Sequence, residues 1–109
     1  MIRLAMIADD LTGANDTGVQ FRKYGMKTVV LLKSSCCDEA DVAEVVVVDT
    51  DSRAIAEEFA DARVRTACRM FIDHGVKNLY KKIDSTLRGN LGAEIGAVWE
   101  EYQPVITII

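Results

Sequence analysis

Four consecutive valines, Val45 to Val48 in "EVVVVDTDSR", constrain this chain more than any other feature. They have no polar alternation, and they stop at a carboxylate. A run of β-branched residues apolar on both sides suits a strand covered on both faces, which is the condition of a parallel sheet rather than of a hairpin with one wet face. The strand is expected over Val42–Val48.

The rest of the chain supplies the covers. Ile2–Ala8 is short and apolar, and Ala14–Tyr24 carries Ala14, Gly18, Phe21 and Tyr24 near helical spacing before Gly25. Thr28–Leu32 reads as a second strand and Ser34–Asp41 as a polar loop. Ala54–His74 is a long helix with Ile55, Phe59, Ala62 and Met70 on one side, stopped by Gly75. Asn78–Ile83 reads as a strand and Asn90–Tyr102 as a helix with Leu91, Ile95, Val98 and Tyr102 on one face; after Pro104, Val105–Ile109 reads as a fifth strand. This alternation defines an α/β domain: three layers, with a mostly parallel open sheet and helices on both faces. A domain that ends on a bare apolar strand is expected to be partial, the front of something longer.

Composition narrows the partners. Thirteen Lys and Arg against seventeen Asp and Glu leave a formal charge of -4, and the basic residues form no cluster, so a nucleic-acid surface or a polybasic membrane patch is not expected. "MIRLAMIADD" reaches an acidic pair too soon for a signal peptide, and no apolar run approaches a membrane span. Cys36, Cys37 and Cys68 form no CxxC pair, which suits reduced thiols in the cytoplasm rather than a metal site.

Parallel strands put all their exits on one edge, where ligands bind. Three such exits are polar in an unusual way. "IADDLTGAND" offers Asp9, Asp10, Thr12, Asn15 and Asp16; "DTDSR" offers Asp49, Asp51, Ser52 and Arg53; "KKIDSTLRGN" offers Lys82, Asp84, Ser85, Thr86 and Arg88. Carboxylates take hydroxyl hydrogen bonds, guanidinium forks grip carboxylate or phosphate, and helix starts near Gly13 and Gly89 offer N–H groups to an anion. Together these suit a small polyhydroxy acid. Thr12, Asp16 and Asn90 serve equally well as helix caps, and His74 is read as the cationic end of a helix rather than a catalyst. "GNLGAEIG" has neither the GxGxxG nor the GxxxxGK[ST] spacing, so no nucleotide phosphate loop is present.

The segments "IADDLTGANDTGVQF", "DTDSR" and "YKKIDSTLRGNLGAEI", in this order, resemble the N-terminal domain of the four-carbon acid sugar kinases, a family long labelled a domain of unknown function. The resemblance covers essentially the whole chain. It implies that residues 1–109 form the N-terminal, sugar-acid-binding part of an ATP-dependent kinase acting on threonate, erythronate or 3-oxo-tetronate. The nucleotide-binding C-terminal domain is expected to be absent here, and the chain alone not to phosphorylate. ATP and Mg2+ would belong to the full-length enzyme, with no cofactor or metal held by this chain. On the same footing, the acid's hydroxyls would meet Asp9 and Asp10 and its carboxylate Arg53 or Arg88, with Lys82, Asp84 and Ser85 completing the pocket and Asp84 or Asp10 as base. The bare last strand invites pairing with a second copy.

Two rivals fit part of the pattern. A response-regulator receiver would use Asp9 and Asp10, Asp49 as phosphoacceptor and Ser85 or Thr86, but its fifth-strand lysine has no counterpart in "PVITII". A haloacid-dehalogenase-like phosphatase would use Asp49 and Asp51, though that motif normally lies on the first strand.

Overall fold

The computed structural model describes residues 1–33 and 40–108. Cys36, Cys37 and most of the Ser34–Asp41 loop, along with Ile109, lie outside the described residues. Four strands form one all-parallel sheet in the order β2-β3-β1-β4: β1 (Leu4–Ala8), β2 (Thr28–Leu31), β3 (Val45–Asp49) and β4 (Leu79–Lys82). Helices α1 (Leu11–Lys23), α2 (Glu57–Asp73) and α3 (Leu91–Tyr102) cover it.

Strand alternation sorts the core into two halves. Met6, Ala8, Val45 and Val47 face α1 with Ala14; Ala5, Ile7, Val46 and Val48 face α2 and α3 with Val64, Ala67, Cys68, Phe71 and Ala97. The valine run is therefore buried from both sides, as its composition requires. Gly18 lets α1 lie close on the sheet, since a Cβ there would already stand 3.4 Å from a methyl of Val47.

The element ends have local causes. Helix α1 begins at Leu11, earlier than its apolar spacing suggests, because the Asp10 carboxylate caps it through the Gly13 N–H at 2.8 Å. Helix α2 begins at Glu57 rather than Ala54, after Ala56 in extended conformation, with Glu57 and Glu58 in its first turn. It ends at Asp73 and is followed by the cap residue His74, whose Nδ1 lies 2.8 Å from the Met70 carbonyl. Strand β3 starts at Val45 because Ala40–Val42 turn as a short 3-10 helix.

Two expectations fail. The buried face of α2 is Ala60, Val64, Ala67, Cys68 and Phe71, while Phe59 is exposed and Ile55 precedes the helix. The buried side runs through Ala60, Val64, Ala67 and Phe71 at offsets of four, three and four, so small residues share it with one bulky ring. Among the described residues the fifth strand is also absent: residues 105–108 lie outside the sheet, and Val105, Ile106 and Ile108 are exposed. Left-handed Gln103 closes α3, Pro104 brings no N–H, and β-branched propensity alone does not make a strand without a ladder. The segment instead borders a groove of about 470 Å³ with β4 and α3, lined by Tyr80, Val98 and Trp99 among others.

One polar pair sits within the apolar layers. Glu94, nearly fully buried on α3, has its Oε1 3.2 Å from Lys81 Nζ but without hydrogen-bond alignment. Lys81 Nζ also donates to the Lys82 carbonyl at 3.0 Å. Among the described residues, no helix is long and apolar enough to cross a membrane.

Phe71 is the largest fully buried side chain, so Phe71→Ala should cost about 3–5 kcal/mol, read as a lowered urea midpoint with an unchanged slope.

Candidate functional site

Register fixes where the three corners meet. Ala8 pairs with Asp49 on one side and Lys82 on the other, so β1, β3 and β4 finish level. Chain leaving β1 enters α1 on one face, while chain leaving β3 and β4 enters α2 and α3 on the other. The crevice this leaves over β1 is where open parallel sheets bind ligands.

Arg53 occupies it. Its Nε and one terminal nitrogen donate to Asp9 Oδ2 and Oδ1 at 3.1 and 3.0 Å. The other terminal nitrogen lies 3.0 Å from Asp10 Oδ2, and the first also lies 3.4 Å from Asp84 Oδ1. One guanidinium thus joins carboxylates from the first and third corners, and its pKa rises further, chiefly through the Asp9 hydrogen bonds. Among the described residues no group of three or more His, Cys, Asp or Glu is arranged to hold a metal ion.

Asp84 is held from more sides. It accepts Nε and a terminal nitrogen of Arg88 at 3.0 and 3.1 Å, the Thr86 and Arg88 backbone N–H groups at 3.1 and 3.2 Å, and the Thr86 hydroxyl. Arg88 first, and then Thr86, hold its carboxyl far below the usual carboxylate range. The Arg88 side chain itself is 66% exposed, and among the described residues its other terminal nitrogen has no partner. Asp49, by contrast, is pushed up by burial, against the Asp51 N–H that bonds its Oδ1 at 2.8 Å.

The turn carrying these groups needs its glycine. Gly89 has φ +96°, and a Cβ there would stand 2.9 Å from Asp9 Oδ2 and 3.3 Å from Arg53 Cγ. Leu87, two residues before it, is left-handed too, at φ 61°. Lys82 bonds the Ile83 carbonyl, and its stem runs beside Gly13. Ser85 is exposed on the same turn.

Asp9, Asp10, Arg53, Asp84 and Arg88 therefore converge as one bonded cluster, with Lys82 and Ser85 on the turn and strand that carry it. Cap duty on α1 falls to Asp10 rather than Thr12 or Asp16, and Asn90 makes no cap bond at all. Sequence reasoning missed Thr50 and Arg63 as supports. Buried Thr50 joins its hydroxyl to that of Ser52, itself a candidate from the sequence, at 2.7 Å, and bonds the Ala8 carbonyl at 3.0 Å. Arg63, nearly two turns into α2, donates to the Thr50 and Asp51 carbonyls at 3.1 and 2.9 Å. A hydroxyl or an arginine on a solvated helix gives no local signal of such a task.

This is a parallel three-layer α/β domain with a charged, hydroxyl-bearing crevice over its central strand. The family model described as a sugar-binding N-terminal domain matches residues 4–109, and the chain belongs to that family, in accord with the resemblance carried by its three corners. It is 41% identical over 109 residues to a D-threonate kinase of Salmonella typhimurium, spanning 99% of this chain and 26% of that protein. It is 42% identical over 106 residues to a D-erythronate kinase of Heliobacterium modesticaldum, spanning 95% of this chain and 24% of that protein. A solved domain of unknown function from Bordetella bronchiseptica, a domain-swapped dimer with bound citrate, superposes with TM-score 0.82 at 40% identity, over 90% of this chain and 25% of that one. The chain spans about a quarter of the length of the relatives it matches. Nothing in these likenesses favours a receiver or a phosphatase, and Asp49, the residue both would need, is buried with its carboxylate turned to the Asp51 amide.

Two outcomes test the cluster. Gly89→Ala should lose roughly 1–3 kcal/mol through left-handed strain and the clash with Asp9, measured by urea unfolding. For Asp84 the folded pKa lies below the unfolded value of about 3.9, so its stabilisation is present above about pH 4 and is lost as pH falls from there toward the folded pKa. Asp84→Asn should therefore flatten the acid limb of the stability–pH curve below about pH 4, while a limb as steep as in the parent chain would remove Asp84 as its source.

Proposed function

We propose that this chain is the sugar-acid-binding part of an ATP-dependent kinase that phosphorylates a four-carbon sugar acid, with threonate, erythronate and 3-oxo-tetronate as the candidate substrates. The observation that carries the reading is the division of labour between the two arginines. Arg53 is satisfied by three carboxylates and acts as scaffold, whereas Arg88 is anchored along one edge by Asp84 and keeps an open, solvent-facing edge. An anchored guanidinium is preorganised for a planar carboxylate, and little side-chain freedom remains to be lost on binding. Arg88 is thus the better partner for the acid's carboxylate, and partly open Asp10, Lys82 and Ser85 are placed for its hydroxyls.

Asp9 and Asp84 then shape the pocket from beneath. Asp84, held so far toward its ionised form, has little drive to take a proton, so Asp10 is the better candidate to orient or deprotonate the attacking hydroxyl.

The residues here do not fit a nucleotide with magnesium. The sequence has no glycine-rich phosphate loop, and Asp9, Asp10 and Asp84 already share a guanidinium. Nucleotide binding is accordingly assigned to polypeptide other than these residues. A cytoplasmic setting accords with metabolic kinase chemistry. Self-association through residues 105–108 and the open edge of β4 accords with their exposed apolar side chains.

Calorimetric titration with the three sugar acids tests the assignment. The chain should bind at least one of them without turning over ATP and magnesium. Arg88→Ala should weaken binding about 10- to 150-fold, the worth of a charge-assisted hydrogen bond. A four-carbon polyol lacking the carboxylate should bind as weakly to the parent chain. Equal affinity for acid and polyol would defeat the reading.

A further inference from the structure

The side chain of Asn90 stands where a helix cap is expected, yet it bonds none of the N–H groups of α3. Its amide nitrogen instead donates to two carbonyls of the second corner, Ser52 and Ile55, each at 3.0 Å. Those carbonyls flank Arg53. Both amide protons are used, and the start of the third helix is left uncapped so that two loops can be joined.

The bond to Ser52 reaches the centre of the site in two steps. Ser52 is fully buried, and its N–H donates to the Asp9 carbonyl at 3.0 Å; the Arg53 N–H shares that carbonyl at 3.3 Å. The Arg53 side chain then returns to the Asp9 carboxylate. Gly89, next to Asn90, packs so closely that a Cβ on it would lie 3.7 Å from Arg53 Cα. The third corner thus grips the backbone of Arg53 from both sides, and Arg53 in turn holds the first corner.

We propose that Asn90 is a positioning residue of the sugar-acid site, acting through Arg53 and not as a helix cap. Chemistry makes the demand narrow. A carboxylate at this place meets two carbonyl oxygens without a proton to offer, and a hydroxyl reaches at most one of them. The proposal rests on the sugar-acid reading only for its consequence in binding; the positioning itself is a property of the free chain.

Nitrogen-15 spectra of the free chain decide the first part. In Asn90→Ser and Asn90→Asp, solvent exchange of the Arg53 Nε–H, bonded to Asp9, should quicken about five- to tenfold, the loss of one hydrogen bond. The Nε–H of Arg65, bonded to Asp61 at 2.8 Å on α2, should keep its rate. Unchanged Arg53 exchange in a folded variant overturns the proposal. So does unfolding of both variants, which would make Asn90 a requirement of the fold. Calorimetry with threonate and erythronate decides the second part. Asn90→Ser should weaken binding of the preferred acid about fivefold in the parent chain and leave it unaltered in an Arg53→Lys background. Additive losses in the two backgrounds overturn the route through Arg53. Failure of every acid to bind, with the exchange effect intact, counts against the sugar-acid reading and leaves the positioning established.

Discussion

Everything polar at the strand-exit edge depends on one buried-edge contact, the two-pronged bond between Arg53 and Asp9. Asp9 is almost wholly removed from water, and a carboxylate in that position is costly unless it is paired and hydrogen-bonded. Arg53 meets the requirement and has donors left over. Those donors draw in Asp10 and Asp84, so a single cation sets the spacing of carboxylates that are far apart in sequence. Rigid placement of this kind is what a small hydroxylated ligand needs, because its few polar atoms leave no room for averaging over loop positions.

The sheet supplies the alignment on which this contact rests. Val45–Val48 have no polar side, so β3 is stable only between layers, and its parallel neighbours deliver their ends to one level. Three short loops can then share ligands among themselves. The buried valines contribute nothing to the chemistry directly; they determine where Asp49 stops and the turn toward Arg53 begins.

Much of this could be read in the amino acids, for reasons that differ by element. The layered parallel architecture followed from apolar runs with polar ends, and convergence of the corners followed from strand direction. Family resemblance rested on long, compositionally unusual segments. Three things could not be read. The true face of α2 places small Ala60, Ala67 and Cys68 beside Val64 and Phe71, and small residues give little apolar signal of their own. Val105–Ile108 has the composition of a strand, but pairing is a property of the partner as well as of the segment. Roles such as those of Thr50, Arg63 and Asn90 are defined by carbonyl oxygens, which are the same in every residue and so carry no sequence signature.

The Lys81–Glu94 pair carries a different kind of consequence. Removing either partner strands a charge in a nearly dry layer, while replacing both with matched apolar groups is close to neutral. Neutral drift at these two positions is therefore confined to joint exchange. Between lineages the two sites should travel together, apolar with apolar or charged with charged. Intermediates bearing one lone ion should be scarce in any collection of descendants.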